Sequence, residues 1–140
     1  MHLLIKNKKH KLKSKLEYIN QKSNKDLIWI KLKIYEKLYN MSSMFYKCSS
    51  LLYIKDFSEI DTKCVFDMNC LFYGYFSMQS LPDISNWKTD NIKKMNLMFS
   101  GCSSLMELCN IVKWKTKQVT DISGMLSSCT ALEKIPDRSN

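Results

Sequence analysis

One spacing constrains this chain more than any other: apolar residues recur in register every 27 positions between Leu38 and Ile135. The first columns read Leu38, Val65, Ile92, Val119; Met41, Met68, Met95, Ile122; Met44, Leu71, Met98, Met125; and Phe45, Phe72, Phe99, Leu126. Next come Cys48, Tyr75, Cys102, Cys129; Leu51, Met78, Leu105, Leu132; and Ile54, Leu81, Leu108, Ile135. Phe57, Ile84, Ile111 and Ile60, Trp87, Trp114 complete nine columns, with no insertion or deletion. Chance does not hold that many columns in phase, so the chain is built from repeats. One repeat cannot bury its own apolar face, but it can bury that face against the next, so like residues should ladder into a common core.

Within a repeat the apolar residues use two kinds of interval. Ile92, Met95, Met98, Phe99 and Cys102 follow one another at 3, 3, 1 and 3 residues. That places all five on one face of a helix of about three turns. Thr89, Asp90 or Asn91 would serve as its N-cap, and Gly101, like Gly74 in the same column, as a left-handed C-cap. Leu105, Leu108, Ile111 and then Trp114 are spaced too sparsely for a long strand and predict a turn plus a short one. A 27-residue unit with one short strand and one helix falls in the leucine-rich-repeat range. The expected fold is an α/β solenoid, a leucine-rich-repeat-like stack of strand–helix coils.

Ahead of the repeats, Ile28, Ile30, Leu32 and Ile34 alternate with Trp29, Lys31 and Lys33. Period two predicts a half-polar strand, which can close the open end of a solenoid. A helical stripe through Leu27, Ile30, Ile34 and Leu38 is the alternative. The expected organisation is a basic arm at 1–26 and a solenoid at 27–140. The solenoid has a capping strand region at 27–40 and repeats at about 41–57, 58–84, 85–111 and 112–140. In the arm, Leu12, Leu16 and Ile19 would line one side of a short helix, with a polar break at 20–24.

The net charge of +9 is concentrated in one place. Residues 1–40 hold eleven Lys against Glu17, Asp26 and Glu36, whereas the remaining residues are nearly balanced. A basic arm can contact nucleic acid or an anionic membrane, but it is also an ordinary solvated lead-in segment. No zinc-finger or similar reading motif accompanies it, so nucleic acid is the weaker expectation. The run Leu3-Leu4-Ile5 is too short for a secretory segment, and no run of about 18 apolar residues exists to cross a membrane. Taken alone, the sequence predicts a chain on the synthesising side of the membrane with reduced thiols.

The six Cys include no C-x-x-C pair, and both His, His2 and His10, lie in the arm. A zinc site therefore lacks its usual spacing. The Cys column reads as packing, with disulfides or metal as alternatives, and Tyr75 in that column favours packing. Phosphate loops are absent, and no two carboxylates are set apart by environment. No enzymatic activity, cofactor or metal is expected. Trp87 and Trp114 fit either an exposed aromatic stripe or a packed corner with Ile60. Recognition is better sought on polar positions between the columns, such as Lys55, Asp83, Asn110 and Asp137.

Leu81-Pro82-Asp83-Ile84-Ser85-Asn86-Trp87, followed by Met95, Met98-Phe99 and Gly101-Cys102-Ser103-Ser104-Leu105, closely resembles the BspA-like leucine-rich-repeat surface proteins. The same repeat occurs as a domain of unknown function in mycoplasma lipoproteins. The resemblance covers about residues 38–139; Tyr75-Phe76 and Thr130-Ala131 depart from the pattern. It implies a surface or secreted protein whose role is adhesion or protein binding, and it brings no catalytic residues. The leading expectation is thus a non-enzymatic protein-interaction or adhesion module with a protein partner of unspecified identity and an open oligomeric state. The alternatives are nucleic-acid or anionic-membrane binding through the arm, or a gene fragment without independent function.

Overall fold

The computed structural model describes residues 2–5, 8–11, 16–22, 28–34, 37–48, 53–55, 57–108 and 111–135. In the arm, β1 (His2–Ile5) pairs antiparallel with β2 (Lys8–Lys11). β3 (Leu16–Lys22) pairs antiparallel with β4 (Ile28–Ile34), and β4 pairs parallel with β5 (Tyr53–Lys55). The period-two stretch 28–34 is therefore a strand, as its alternation predicts. The short helix expected near Leu16 and Ile19 does not form, and the polar break does not begin at Asn20, because β3 runs through all three. Pairing with a β-branched, alternating partner outweighs the weak helical pattern of a Lys-rich segment. Arm and cap thus share one sheet across the boundary drawn at 26/27.

From residue 40 the backbone runs as four parallel ribbons, 40–48, 67–75, 94–102 and 121–129, joined by the bridges Asn40↔Asp67, Asp67↔Lys94 and Lys94↔Asp121. The three-turn helix expected over 92–102 is absent; residues 96–101 are consecutive turns. Hydrogen bonding shows why. The N–H groups of Met95, Leu97, Phe99 and Gly101 donate across to the carbonyls of Asp121, Ser123, Met125 and Ser127 at 2.8–3.0 Å. The intervening N–H groups of Met98, Ser100 and Cys102 turn back to the carbonyls three residues earlier, at 3.0–3.2 Å. The ribbons starting at Asn40 and Asp67 repeat this pattern in the same columns. An α-helix would keep every N–H within its own segment. Here half of them bind the next ribbon, so neighbouring ribbons share a continuous backbone ladder.

The turns impose a four-residue rhythm on φ. It is positive at Ser43, Lys47, Cys70, Gly74, Leu97, Gly101, Gly124 and Ser128, two positions per ribbon. A positive φ at the third residue of a turn is the type II signature and is least costly for glycine. All three glycines of the chain occupy these positions. Gly101 is left-handed, as the C-cap expectation required, but no helix precedes it. The expected N-cap residues tie neighbours together instead. Thr89 Oγ1 accepts from Lys115 N–H at 2.8 Å, Asp90 pairs with Lys115 Nζ at 2.9 Å, and Asn91 Nδ2 donates to Lys63 O at 2.8 Å.

The columns pack as ladders along the stack. Phe45, Phe72 and Phe99 are fully buried and stacked, with successive ring centroids 5.7 Å apart. Phe57 meets Phe45 and Phe72 edge-on and leans on Trp87. Trp87 and Trp114 are buried and stacked at 6.3 Å, and their indole N–H groups donate to Phe57 O and Ile84 O. They form the packed corner rather than an exposed stripe. A buried indole needs such a partner, because an unmade hydrogen bond costs about 1–3 kcal/mol.

Among the expected core residues, Met44, Cys48, Leu71, Tyr75, Leu81, Ile84, Ile92, Met95, Met98, Cys102, Leu105, Leu108 and Met125 are also buried. Ile111, Val119, Cys129 and Leu132 are partly buried against them. Leu51 lies outside the described residues. Ile122 and Ile135, core positions by their columns, are instead 55% and 66% exposed. Each earlier ribbon is covered by the one that follows it. Among the described residues nothing follows the fourth, so its outer side chains stay open.

Candidate functional site

With the apolar columns turned inward, the outward positions of successive ribbons form rows of their own, and two of these concentrate contact chemistry. Tyr46 and Tyr73 lie 27 residues apart and stack at 4.8 Å with nearly parallel rings, on the outside of the first two ribbons. Lys47 Nζ sits over the Tyr46 ring, 5.5 Å from its centroid. The exposed ring of Phe76 lies against the backbone of Gly74 and Gly101, within reach of any Cβ added there. A cation, two stacked phenols and an exposed phenyl ring thus share one patch. Tyr39 and Phe66, also exposed, lie 27 residues apart in another outward column, with Phe66 N–H donating to Tyr39 O at 3.0 Å.

The second feature is a shallow groove of about 330 Å³ lined by Gln79, Ser80, Met106, Glu107, Glu133 and Lys134. The buried neighbours Met78, Leu81, Leu105 and Leu108 hold this part of the chain in place and leave the intervening pairs facing out. Met106 N–H donates to Gln79 O and Glu133 N–H to Met106 O, and Glu107 bridges Lys134 in parallel. Two carboxylates, one ammonium and the half-exposed Met106 thioether can hold a peptide-like ligand by mixed contacts. Among the described residues no group of three or more His, Cys, Asp or Glu could hold a metal ion.

The 27-residue register of sequence, hydrogen bonds and ring stacks describes one repeated unit. The profile of the family described as "Mycoplasma protein of unknown function, DUF285" matches residues 35–138, most of the chain. The chain belongs to the DUF285 family. No curated protein and no solved structure matches it. Among the described residues of this DUF285 member, no helix is long and apolar enough to cross a membrane.

The thiols of the Cys column are placed for packing. Cys102 Sγ donates to Phe72 O at 3.3 Å, and Cys129 Sγ to Phe99 O at 3.2 Å. Burial pushes the Cys48 and Cys102 thiols up to about 12, so both stay protonated near neutrality. Protonated thiols are poor nucleophiles. Because the folded thiols hold their protons more tightly than the unfolded ones, stability is highest below the unfolded value near 9 and falls as pH rises toward 12. Each thiol should contribute a slope of about 1.4 kcal/mol per pH unit in that window. Urea unfolding from pH 8 to pH 11 measures it; a flat profile, or full alkylation of Cys48 and Cys102 in the folded protein at pH 8, would contradict the burial.

Of the polar positions singled out in the sequence, Asp83 is exposed and engaged locally, accepting hydrogen bonds from the Ser85 hydroxyl at 2.7 Å and the Ser85 N–H at 3.1 Å. Those bonds, the hydroxyl first, hold its carboxyl below the usual range. Lys55 lies in β5, while Asn110 and Asp137 lie outside the described residues. The polar positions between the columns do not point to the aromatic patch. Its signal was the in-phase pair Tyr46 and Tyr73 outside the apolar columns, just as solvent-facing Met106 marks the groove.

Proposed function

We propose that this DUF285 chain is a leucine-rich-repeat-like solenoid of the BspA-like kind, working as a non-enzymatic protein-interaction or adhesion module at a cell surface or in secreted form. The ladder of parallel ribbons supports the stacked architecture. The observation that carries the functional reading is the patch of Tyr46, Lys47, Tyr73 and Phe76. Exposed aromatics on rigid elements are the usual anchors of protein interfaces, since they supply large contact area at little entropic cost. The buried Cys thiols serve packing, which accords with a non-enzymatic role.

Panning a displayed library of protein domains against the chain tests this reading. Binders selected on the native chain should lose about tenfold or more in affinity on a Tyr46→Ser/Phe76→Ser variant of unchanged melting temperature. Failure to select any binder, or selection only of binders indifferent to the variant, overturns it.

A further inference from the structure

One face of this chain is nearly free of charge. Residues 68–82, 95–106 and 122–132 contain no Asp, Glu, Lys or Arg, and 41–54 contain only Lys47. The corner segments 59–67, 86–94 and 113–121 hold four charged residues each. The outward side of the ribbons therefore presents mostly Ser, Asn, Tyr and Gly, in a chain of which 25% is charged. Surface positions ordinarily carry charge, because Lys, Glu, Arg and Asp are the residues least often buried. Turn geometry accounts for part of the composition, since positive-φ positions favour Gly, Asn and Ser. It does not account for the rest. Lys47 takes a φ of 54° in one such column, and the columns beginning at Ser42 and Tyr46 lie outside them.

We infer that this face binds a neutral glycan, a chain of hexoses laid along the stack; this rests on the adhesion reading above and gives its ligand a chemical class. A hexose offers two kinds of surface, a rim of hydroxyls and an apolar patch of C–H groups on the ring. Side-chain amides and hydroxyls meet the first, since an amide carries donors and an acceptor and a hydroxyl is both at once. Asn69 and Asn96 stand in register with Ser42 and Ser123, all four half-buried or exposed. Aromatic rings meet the second. Phe76 is 53% exposed, with its ring against the backbone of Gly74 and Gly101, and Tyr46 is exposed as well.

Periodicity and charge select this ligand over others. Adjacent ribbons repeat their groups at a short step, with ring centroids 4.8 Å apart at Tyr46 and Tyr73 and 5.7 Å apart at Phe72 and Phe99. A hexose polymer is periodic too, so one sugar after another can meet the same columns, as extended ligands do along a solenoid. A folded protein surface has no such period. Nucleic acids and sulfated glycans are held by cations, and Lys47 is the one cation among the four uncharged stretches.

Isothermal titration of the full chain with linear oligosaccharides of glucose, mannose and N-acetylglucosamine, and with a heparin oligosaccharide, reads this at low and high salt. At least one neutral sugar should bind, with an affinity that changes less than about twofold with salt because no counterions are released. The Tyr46→Ser/Phe76→Ser variant, with melting temperature unchanged, should lose about tenfold or more of that affinity. Lys113→Ala, at a corner, should lose none. Binding of the heparin oligosaccharide alone, weakening steeply with salt, would overturn the inference, as would neutral-sugar binding indifferent to the Tyr46/Phe76 variant. Protein binders from the panning that depend on Tyr46 and Phe76, together with no binding of any neutral sugar, would leave the adhesion reading standing and sink the glycan.

Discussion

Replacing Phe72 with Ala should nearly abolish folding, lowering stability by about 4–5 kcal/mol in urea unfolding at 25 °C. Truncating a buried Phe costs about 3–5 kcal/mol through lost transfer energy and the cavity left behind. Phe72 stands at the upper end of that range because it is the middle ring of a ladder. It stacks on Phe45 and on Phe99, and Phe57 meets it edge-on. Each aromatic pair adds about 0.5–1.5 kcal/mol beyond area burial. Total stability of a domain is only about 5–15 kcal/mol, so the variant should sit at the edge of folding. Phe66→Ala, at a ring 43% exposed, is the control and should cost about 1 kcal/mol or less. Equal losses for the two would show that the ladder is not the core.

Gly101→Val is the second large effect, for a backbone reason. Gly101 has φ of +76°, and a Cβ there would lie 3.3 Å from Gly74 Cα and 3.5 Å from Gly74 N. Neither is the tip of a flexible side chain, so the two ribbons must separate. The left-handed conformation alone costs an L-residue roughly 1–2 kcal/mol, and a β-branched side chain is worse placed there than most. Separation also strains the bond from Gly74 N–H to Ser100 O, 2.8 Å, which joins those two ribbons. A loss of about 3 kcal/mol is expected. Ser128→Val in the same column isolates the close approach. Ser128 also has positive φ and already carries a Cβ on the side of the preceding ribbon, so valine there adds only β-branching and should cost about 1 kcal/mol or less. If both variants lose the same amount, close approach at Gly101 is not the cause.

The contrast between Gly101 and Ser128 explains why the backbone was harder to read than the core. An inward set such as Met41, Met44, Phe45 and Cys48 satisfies a helix of 3.6 residues per turn and a turn ribbon of four-residue rhythm equally well. Over eight residues the two periods do not diverge enough to be told apart. The distinguishing signal lay elsewhere, in the placement of Gly74, Gly101 and Gly124 in columns four residues apart. It was diluted because Lys47, Cys70, Leu97 and Ser128 fill the same kind of position. The Thr ladder was equally hidden. Buried Thr62 donates to Lys88 O and accepts from Lys88 N–H, and Thr89 accepts from Lys115 N–H. A polar residue buried to serve a neighbour's backbone leaves no hydrophobic trace in its own segment.

The sequence by itself determined the 27-residue register, which residues face inward in the middle ribbons, and the strand at Ile28–Ile34. These follow from hydrophobic spacing, because burial of apolar area is non-directional and can be read without knowing the backbone. Only the tertiary structure decided that the apolar face is carried on turns, with half of the ribbon N–H groups bonding across to the next ribbon. It also decided that Tyr46 and Tyr73 stack on the outside and that Ile122 and Ile135 lie uncovered. Hydrogen-bond partners and exposure depend on the neighbouring segment, 27 residues away or missing from the described stack, and no local pattern records which it is.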